Sequence, residues 1–180
     1  MKLLAAVVLG MLISGCGGSK NPLFLGSGSE SANAGSLKTT QAVGNSTIAE
    51  IYAGSCKEIS RGGFIWMTDS VLLEDLVAPL GDGAATAIVQ KVSFDSQGAL
   101  MVDFGEIPTP GFDVRLMNKQ LQLDGSKAIV QVDLVKLSES ADRLPQVLTH
   151  PCAIYVVPSL GYNILEVQSA LGDVFTTFEN

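Results

Sequence analysis

Beyond residue 47 the apolar positions recur with the period of β-strands. Phe112, Val114 and Leu116 alternate with Asp113, Arg115 and Met117, giving one apolar face and one wet face. Val130, Val132 and Leu134 do the same against Gln131 and Asp133. Asp124-Gly125 separates strands expected over 121–123 and 128–137, a strong hairpin signal because both turn positions tolerate positive φ. Further strands are predicted over 48–56, 64–66, 87–94, 99–104, 152–157, 164–168 and 174–178, with Gly, Pro, Asn and Asp between them. One segment has helical spacing instead. Thr68 or Asp69 caps a helix that runs to Leu80, turning Leu72, Leu73, Leu76 and Val77 toward a sheet. Pro79 and Gly81 end it, and Gly81 to Ala85 reads as a helix stop and turn. The expected fold is therefore α+β: mainly an antiparallel β-sheet or sandwich with one packed helix.

The first part of the chain follows a different pattern. Met1-Lys2 is positively charged, and residues 3–13 are an apolar stretch of signal-peptide length. At 1.5 Å per residue it spans about half of a ~30 Å hydrocarbon core, too little for a permanent transmembrane helix. Ile13-Ser14-Gly15-Cys16 then resembles the cleavage box of a bacterial lipoprotein signal. The resemblance implies removal of residues 1–15 and a diacylglyceryl thioether on Cys16, with acylation of its new amine. Each buried methylene contributes about 0.8 kcal/mol, so two or three chains hold a protein at a bilayer where one does not. Residues 16–46 are rich in Gly, Ser, Asn and Thr and bury too little apolar surface to offset their ordering entropy. They are expected to be a flexible tether with a reach of about 30 Å. Residues 47–180 are the folded domain.

Charge narrows the partners. With 18 acidic and 11 basic side chains the net charge is −7, and loss of Lys2 makes it one unit more negative. Nucleic acid is excluded as a partner, because a polyphosphate needs clustered Lys and Arg. An anionic lipid surface is excluded for the same reason, which leaves the lipid on Cys16 as the membrane anchor. Cys56 and Cys152 remain after Cys16, an even pair for an oxidising compartment. They are either a bridge closing a loop of nearly a hundred residues or two buried thiols.

A block of residues carries a family resemblance. It comprises Val92-Ser93-Phe94-Asp95, the strand at 99–104, Gly105 to Phe112, and the hairpin. Leu144-Pro145-Gln146-Val147-Leu148-Thr149-His150-Pro151 follows, and then Ile154 to Pro158. Together, over about residues 92–158, these resemble the C-terminal domain of PrcB-like proteins, accessory subunits of a bacterial surface protease complex. Two departures are plain: Pro110 stands where the family has Gly, and Phe112 where it has Tyr. The resemblance implies a non-catalytic accessory module whose partner is an exported protease or another envelope protein. Gly17 stands where retained inner-membrane lipoproteins often have Asp, which implies outer-membrane delivery in a Gram-negative host.

Candidate chemistry is sparse. Pro108-Thr109-Pro110-Gly111-Phe112 is a rigid loop, since two prolines fix φ near −65° and glycine permits the reversal after them. Thr109, Pro110, Gly111 and Phe112 are the candidate binding residues; the plainer reading is a tight turn with Phe112 in the core. Similar loops in chagasin-like inhibitors enter cysteine-protease clefts, so a protease inhibitor is the competing function and a structural envelope lipoprotein the third. His150 is the one histidine, and no zinc, redox or nucleophile-elbow motif accompanies it. Neither a metal nor a cofactor is expected. A His150–Cys152 dyad is a poor arrangement, because both lie on one strand with Pro151 between them. His150 is expected to be a partly exposed loop residue. Asp103 is assigned by alternation to an exposed sheet face, Glu74-Asp75 to a solvated helix face, and Trp66 to a packed core position.

Overall fold

In the computed structural model the described residues are 46–59, 62–108, 111–137 and 148–180. The signal segment 1–15, Cys16, all of the tether but Ser46, Thr109 and Pro110 lie outside them. In chain order the described residues form β1 (Ala49–Ser55), β2 (Gly63–Met67), α1 (Ser70–Val77), α2 (Asp82–Val89), β3 (Gln97–Asp103) and β4 (Phe112–Leu116). β5 (Gln122–Asp124), β6 (Lys127–Lys136), β7 (Pro151–Pro158), β8 (Ile164–Gln168) and β9 (Val174–Glu179) complete them. A 3-10 turn, Ala78–Leu80, joins the helices.

The strands make two sheets. β1, β7, β3 and β2 pair antiparallel in that order. The second sheet runs β4, β6, β8, β9, with β5 against the other end of the long β6. β6 and β8 are parallel, because β7, which lies between them in the chain, sits in the opposite sheet.

β3 and β7 decide the layering. Their apolar runs, Ala99 to Val102 and Cys152 to Val157, do not alternate, and both faces of each strand are buried. On one face Leu100, Val102, Ala153, Tyr155 and Val157 pack against Val114, Val130, Val132, Leu165 and Val167 of the second sheet. On the other, Ala99, Met101 and Ile154 meet Leu73, Val77 and Ile88 of the helices. The fold is an α+β three-layer sandwich: helices, four-stranded sheet, second sheet. Burying each large aliphatic side chain contributes about 1.5–3 kcal/mol, so neither cover is dispensable.

The helical layer departs from the sequence expectation in three ways. Asp69 caps α1 by accepting the Leu72 amide at 2.9 Å, but the α-helix stops at Val77 and the 3-10 turn carries the chain to Leu80. Leu72 is half-exposed; Leu73 and Val77 are the buried residues. A second helix, α2, replaces the turn expected at 81–85 and the strand expected over 87–94. Gly81 supplies a φ of 90° that reverses the chain, and Ala85 donates to the Gly81 carbonyl at 3.0 Å. Asp82 favours the new N-terminus, and Ala85, Ile88 and Val89 follow helical spacing toward the sheet.

The two long sides of the sandwich differ. Where β2 faces β9, Phe64 stacks on Phe175 at 5.3 Å between centroids, and Phe104 meets both edge-on at 5.8 and 5.6 Å. Those rings plug that side. Further along β2, Trp66 lies directly over Gly98, where a Cβ would come within 2.3 Å of the indole and 2.8 Å of the Met67 carbonyl. Gly98→Ala is therefore expected to cost about 1–3 kcal/mol through overpacking. Urea unfolding followed by the fluorescence of the one tryptophan measures both the loss and the displaced ring; an unchanged midpoint contradicts this account.

Candidate functional site

At one end of the four-stranded sheet, four chemically distinctive residues share the face toward the helices. Asp103 stands opposite Cys152, and Cys152 opposite Gly54. The Cys56 amide donates to the His150 carbonyl at 3.0 Å, which brings Cys56 and His150 onto the same face. Cys56 and Cys152 are joined in a disulfide, with Cα atoms 5.7 Å apart and a sequence separation of 96. Cys152 therefore offers no free thiol to His150.

Asp103 and His150 both depart from expectation. The Asp103 side chain is fully buried and that of His150 is 8% exposed. Both carboxylate oxygens lie 2.9 Å from His150 Nε2. Oδ2 also accepts the Gly62 amide at 2.9 Å, and Oδ1 the Gly105 amide at 2.7 Å. A carboxylate only accepts, which places the imidazole hydrogen on Nε2. Alternation assigned Asp103 to solvent because local sequence does not show what covers each sheet face. Here the face is closed by the chain leaving β1, and the carboxylate is satisfied by two backbone amides and a ring. The arrangement is a structural clasp: it fixes the chain after β1, the turn after β3 and the approach to β7 at one point.

Among the described residues the other long side of the sandwich is open. Between the edges of β1 and β4 lie two adjoining clefts of about 480 and 590 Å³, both bordered by Asp113. The first is lined by Ala53, Gly54, Ser55, Phe112, Leu137 and Leu148 among others, the second by Glu50, Arg115, Lys119 and Tyr155 among others. Tyr155 ties the seam at its floor. Its hydroxyl donates to the Val114 carbonyl at 3.3 Å. Burial, then the Glu50 and Asp113 carboxylates, raise its pKa well above the tyrosine range. Of the candidate loop residues, Gly111 precedes β4 at φ 92° and Phe112 is half-buried in the first cleft. The seam escapes a local reading because its walls come from residues sixty positions apart.

A further polar group sits on the outer sheet. Glu166 is buried, with Lys127 Nζ at 2.5 Å and Gln168 donating to its other oxygen. The Lys127 hydrogen bond, aided by Gln168 and opposed by burial, holds its carboxyl below the usual range. Glu74 and Asp75 are exposed and Trp66 is half-buried against the sandwich core. Among the described residues no group of three or more His, Cys, Asp or Glu is placed to hold a metal, and no helix is long and apolar enough to cross a membrane. The chain matches no family model, no curated protein and no solved structure.

Two outcomes follow from these polar groups. Asp103→Ala strands two amides and an imidazole and is expected to cost about 3–5 kcal/mol, while Asp103→Asn, which keeps an acceptor, costs less. Urea titration of both variants checks the order, and equal losses contradict the clasp. For Glu166 the folded pKa lies below the unfolded one, so its stabilisation is complete above the ordinary carboxylate range and is lost as pH falls through the folded value. Glu166→Gln is therefore expected to flatten the acid limb of the stability–pH curve, and an unaltered acid limb speaks against the pairing.

Proposed function

We propose that this chain is a non-catalytic binding module of the bacterial cell envelope, anchored through lipid on Cys16, whose open seam engages an exported protein. The observation that carries the reading is the contrast between the two sides of the sandwich. One is filled by three phenylalanine rings; the other keeps two adjoining clefts between strand edges. Clefts of that size that combine apolar walls with a few charged groups are the usual form of a binding site.

Other features support the location. A bridged Cys56–Cys152 suits an oxidising compartment, and the lipoprotein box suits the envelope, with outer-membrane delivery in a Gram-negative host. The PrcB-like block makes an exported protease the first partner to look for, with other envelope proteins next. Phe112 belongs to β4 and lines the chain's own cleft, which favours a receiving surface over a loop inserted into a protease.

Cys16→Ser is expected to move the protein from the membrane fraction to the soluble one, and mass spectrometry of the native product to show an acylated Cys16. Retention of the serine variant on membranes overturns the anchor. A photo-reactive residue in place of Leu148, at the rim of the first cleft, is expected to give a discrete, saturable adduct with an exported protein in intact cells. Absence of any such adduct overturns the binding reading.

A further inference from the structure

We propose that the seam accepts an extended peptide segment as an added strand on the free edge of β1, with a lysine or arginine of that segment seated between Glu50 and Asp113. The proposal rests on the binding-module reading and specifies the form of the partner.

The ladder pattern supplies the first argument. The Cys56 amide bonds the His150 carbonyl, so Cys56 and, two residues on, Gly54 direct their main-chain groups toward β7. Ala53 and Ser55 then direct theirs away from it, where no strand pairs with β1 among the described residues. The Ser55 carbonyl is taken by the Tyr52 hydroxyl at 2.9 Å. The Ala53 amide, the Ala53 carbonyl and the Ser55 amide face the first cleft. β4 presents the same pattern opposite. Leu137 donates to Gly111 and Met117 to Gln131, so Phe112, Val114 and Leu116 turn outward. Tyr155 occupies the Val114 carbonyl, and Phe112 lies beside the first cleft. Exposed edges of this kind recruit extended chains by main-chain hydrogen bonding.

The edge is also guarded so that addition is confined. The register of β1 on β7 shifts between Glu50 and Tyr52, and Lys91 Nζ reaches the Ile51 carbonyl at 3.3 Å. A bulge and a lysine are standard protection against unrestricted strand pairing. They leave the 53–55 end accessible, next to the apolar wall of Phe112, Leu137 and Leu148.

Charge supplies the second argument. Glu50 stands opposite Tyr155 in register, so its side chain shares the face that looks into the seam. Asp113, on β4, borders both clefts from the other wall. Arg115 Nε lies 3.9 Å from Asp113, and with Lys119 it borders the second cleft. The middle of the seam is therefore negative and its far end positive. An extended segment with an apolar residue over Phe112 and a basic one at the middle complements the apolar wall and the negative middle.

The test uses the intact mature protein and three synthetic probes. The first is an alternating valine–threonine hexapeptide with one central lysine. The second carries glutamate in its place, and the third is the lysine peptide N-methylated at alternate amides. The lysine peptide is expected to shift and protect the Ala53 and Ser55 amides in NMR. The glutamate peptide, or an E50Q/D113N protein, is expected to bind about tenfold more weakly. Ala53→Pro removes the outward amide without touching the β7 ladder and is expected to abolish binding, with retained Trp66 fluorescence showing that the variant is folded. Equal binding of the lysine and glutamate peptides, full binding of the N-methylated peptide or by Ala53→Pro, or no shift at Ala53 and Ser55 each overturns the proposal. If the Leu148 adduct forms while those amides stay unmoved, strand addition fails and the binding-module reading survives. Loss of both removes both.

Discussion

The architecture depends on the burial of β3 and β7 on both faces. Strands of this kind are usually the central strands of parallel sheets with helices on either side. Here the pair is antiparallel, and each face needs its own cover. The second sheet supplies one, with Val114, Val130, Val132, Leu165 and Val167. The short helical hairpin supplies the other, and only Leu73, Val77 and Ile88 of it are fully buried. The same constraint explains the clasp at the sheet's end. A carboxylate carried by a doubly covered strand cannot reach water, so Asp103 is satisfied by the Gly62 and Gly105 amides and by His150. The Cys56–Cys152 bridge lies on the same face and holds the last residue before that chain reversal to β7.

Much of this was legible locally, and the failures share one cause. β4, β6 and the β5–β6 hairpin could be read because one face of each long strand is wet, so alternation reports geometry directly. β8 was read to the residue. α2 was missed because Gly81-Asp82-Gly83 resembles a turn, and the apolar stretch after it is too short to separate helix from strand by periodicity. Asp103 and His150 were misplaced because what covers a sheet face is a tertiary fact. His150 looked like a loop residue from its neighbours Thr149 and Pro151, yet it is among the few buried polar side chains. The disulfide was open in the sequence for the same reason: it depends on a 5.7 Å approach between strands that are neighbours only in space.

The seam belongs to the same category. Glu50 and Asp113 carry no motif, and Tyr155 reads as one more apolar strand residue. Yet Tyr155 does at the β4 edge part of what a neighbouring strand ordinarily does, engaging the Val114 carbonyl. One side chain thus replaces one ladder bond and ties the sheets across a gap that neither sheet closes.

That substitution is the reason the two sides of the sandwich are not equivalent. Three rings at the β2–β9 side pack against one another and fill the gap with apolar volume. A phenol at the β1–β4 side ties the sheets at a point and leaves the space beside it open. Filling that side with aromatic rings as well would bury more apolar surface and stabilise the fold further. An open side is instead compatible with stability because the disulfide and the Asp103 clasp already fix the end of β1 nearest the first cleft. The edge residues Ala53 and Ser55 can then stay exposed, held from behind by β7 with no strand in front of them among the described residues. A strand edge with a fixed backbone and an unfilled cleft has its ordering cost met before any partner arrives, and preorganisation of that kind favours strand addition over packing alone.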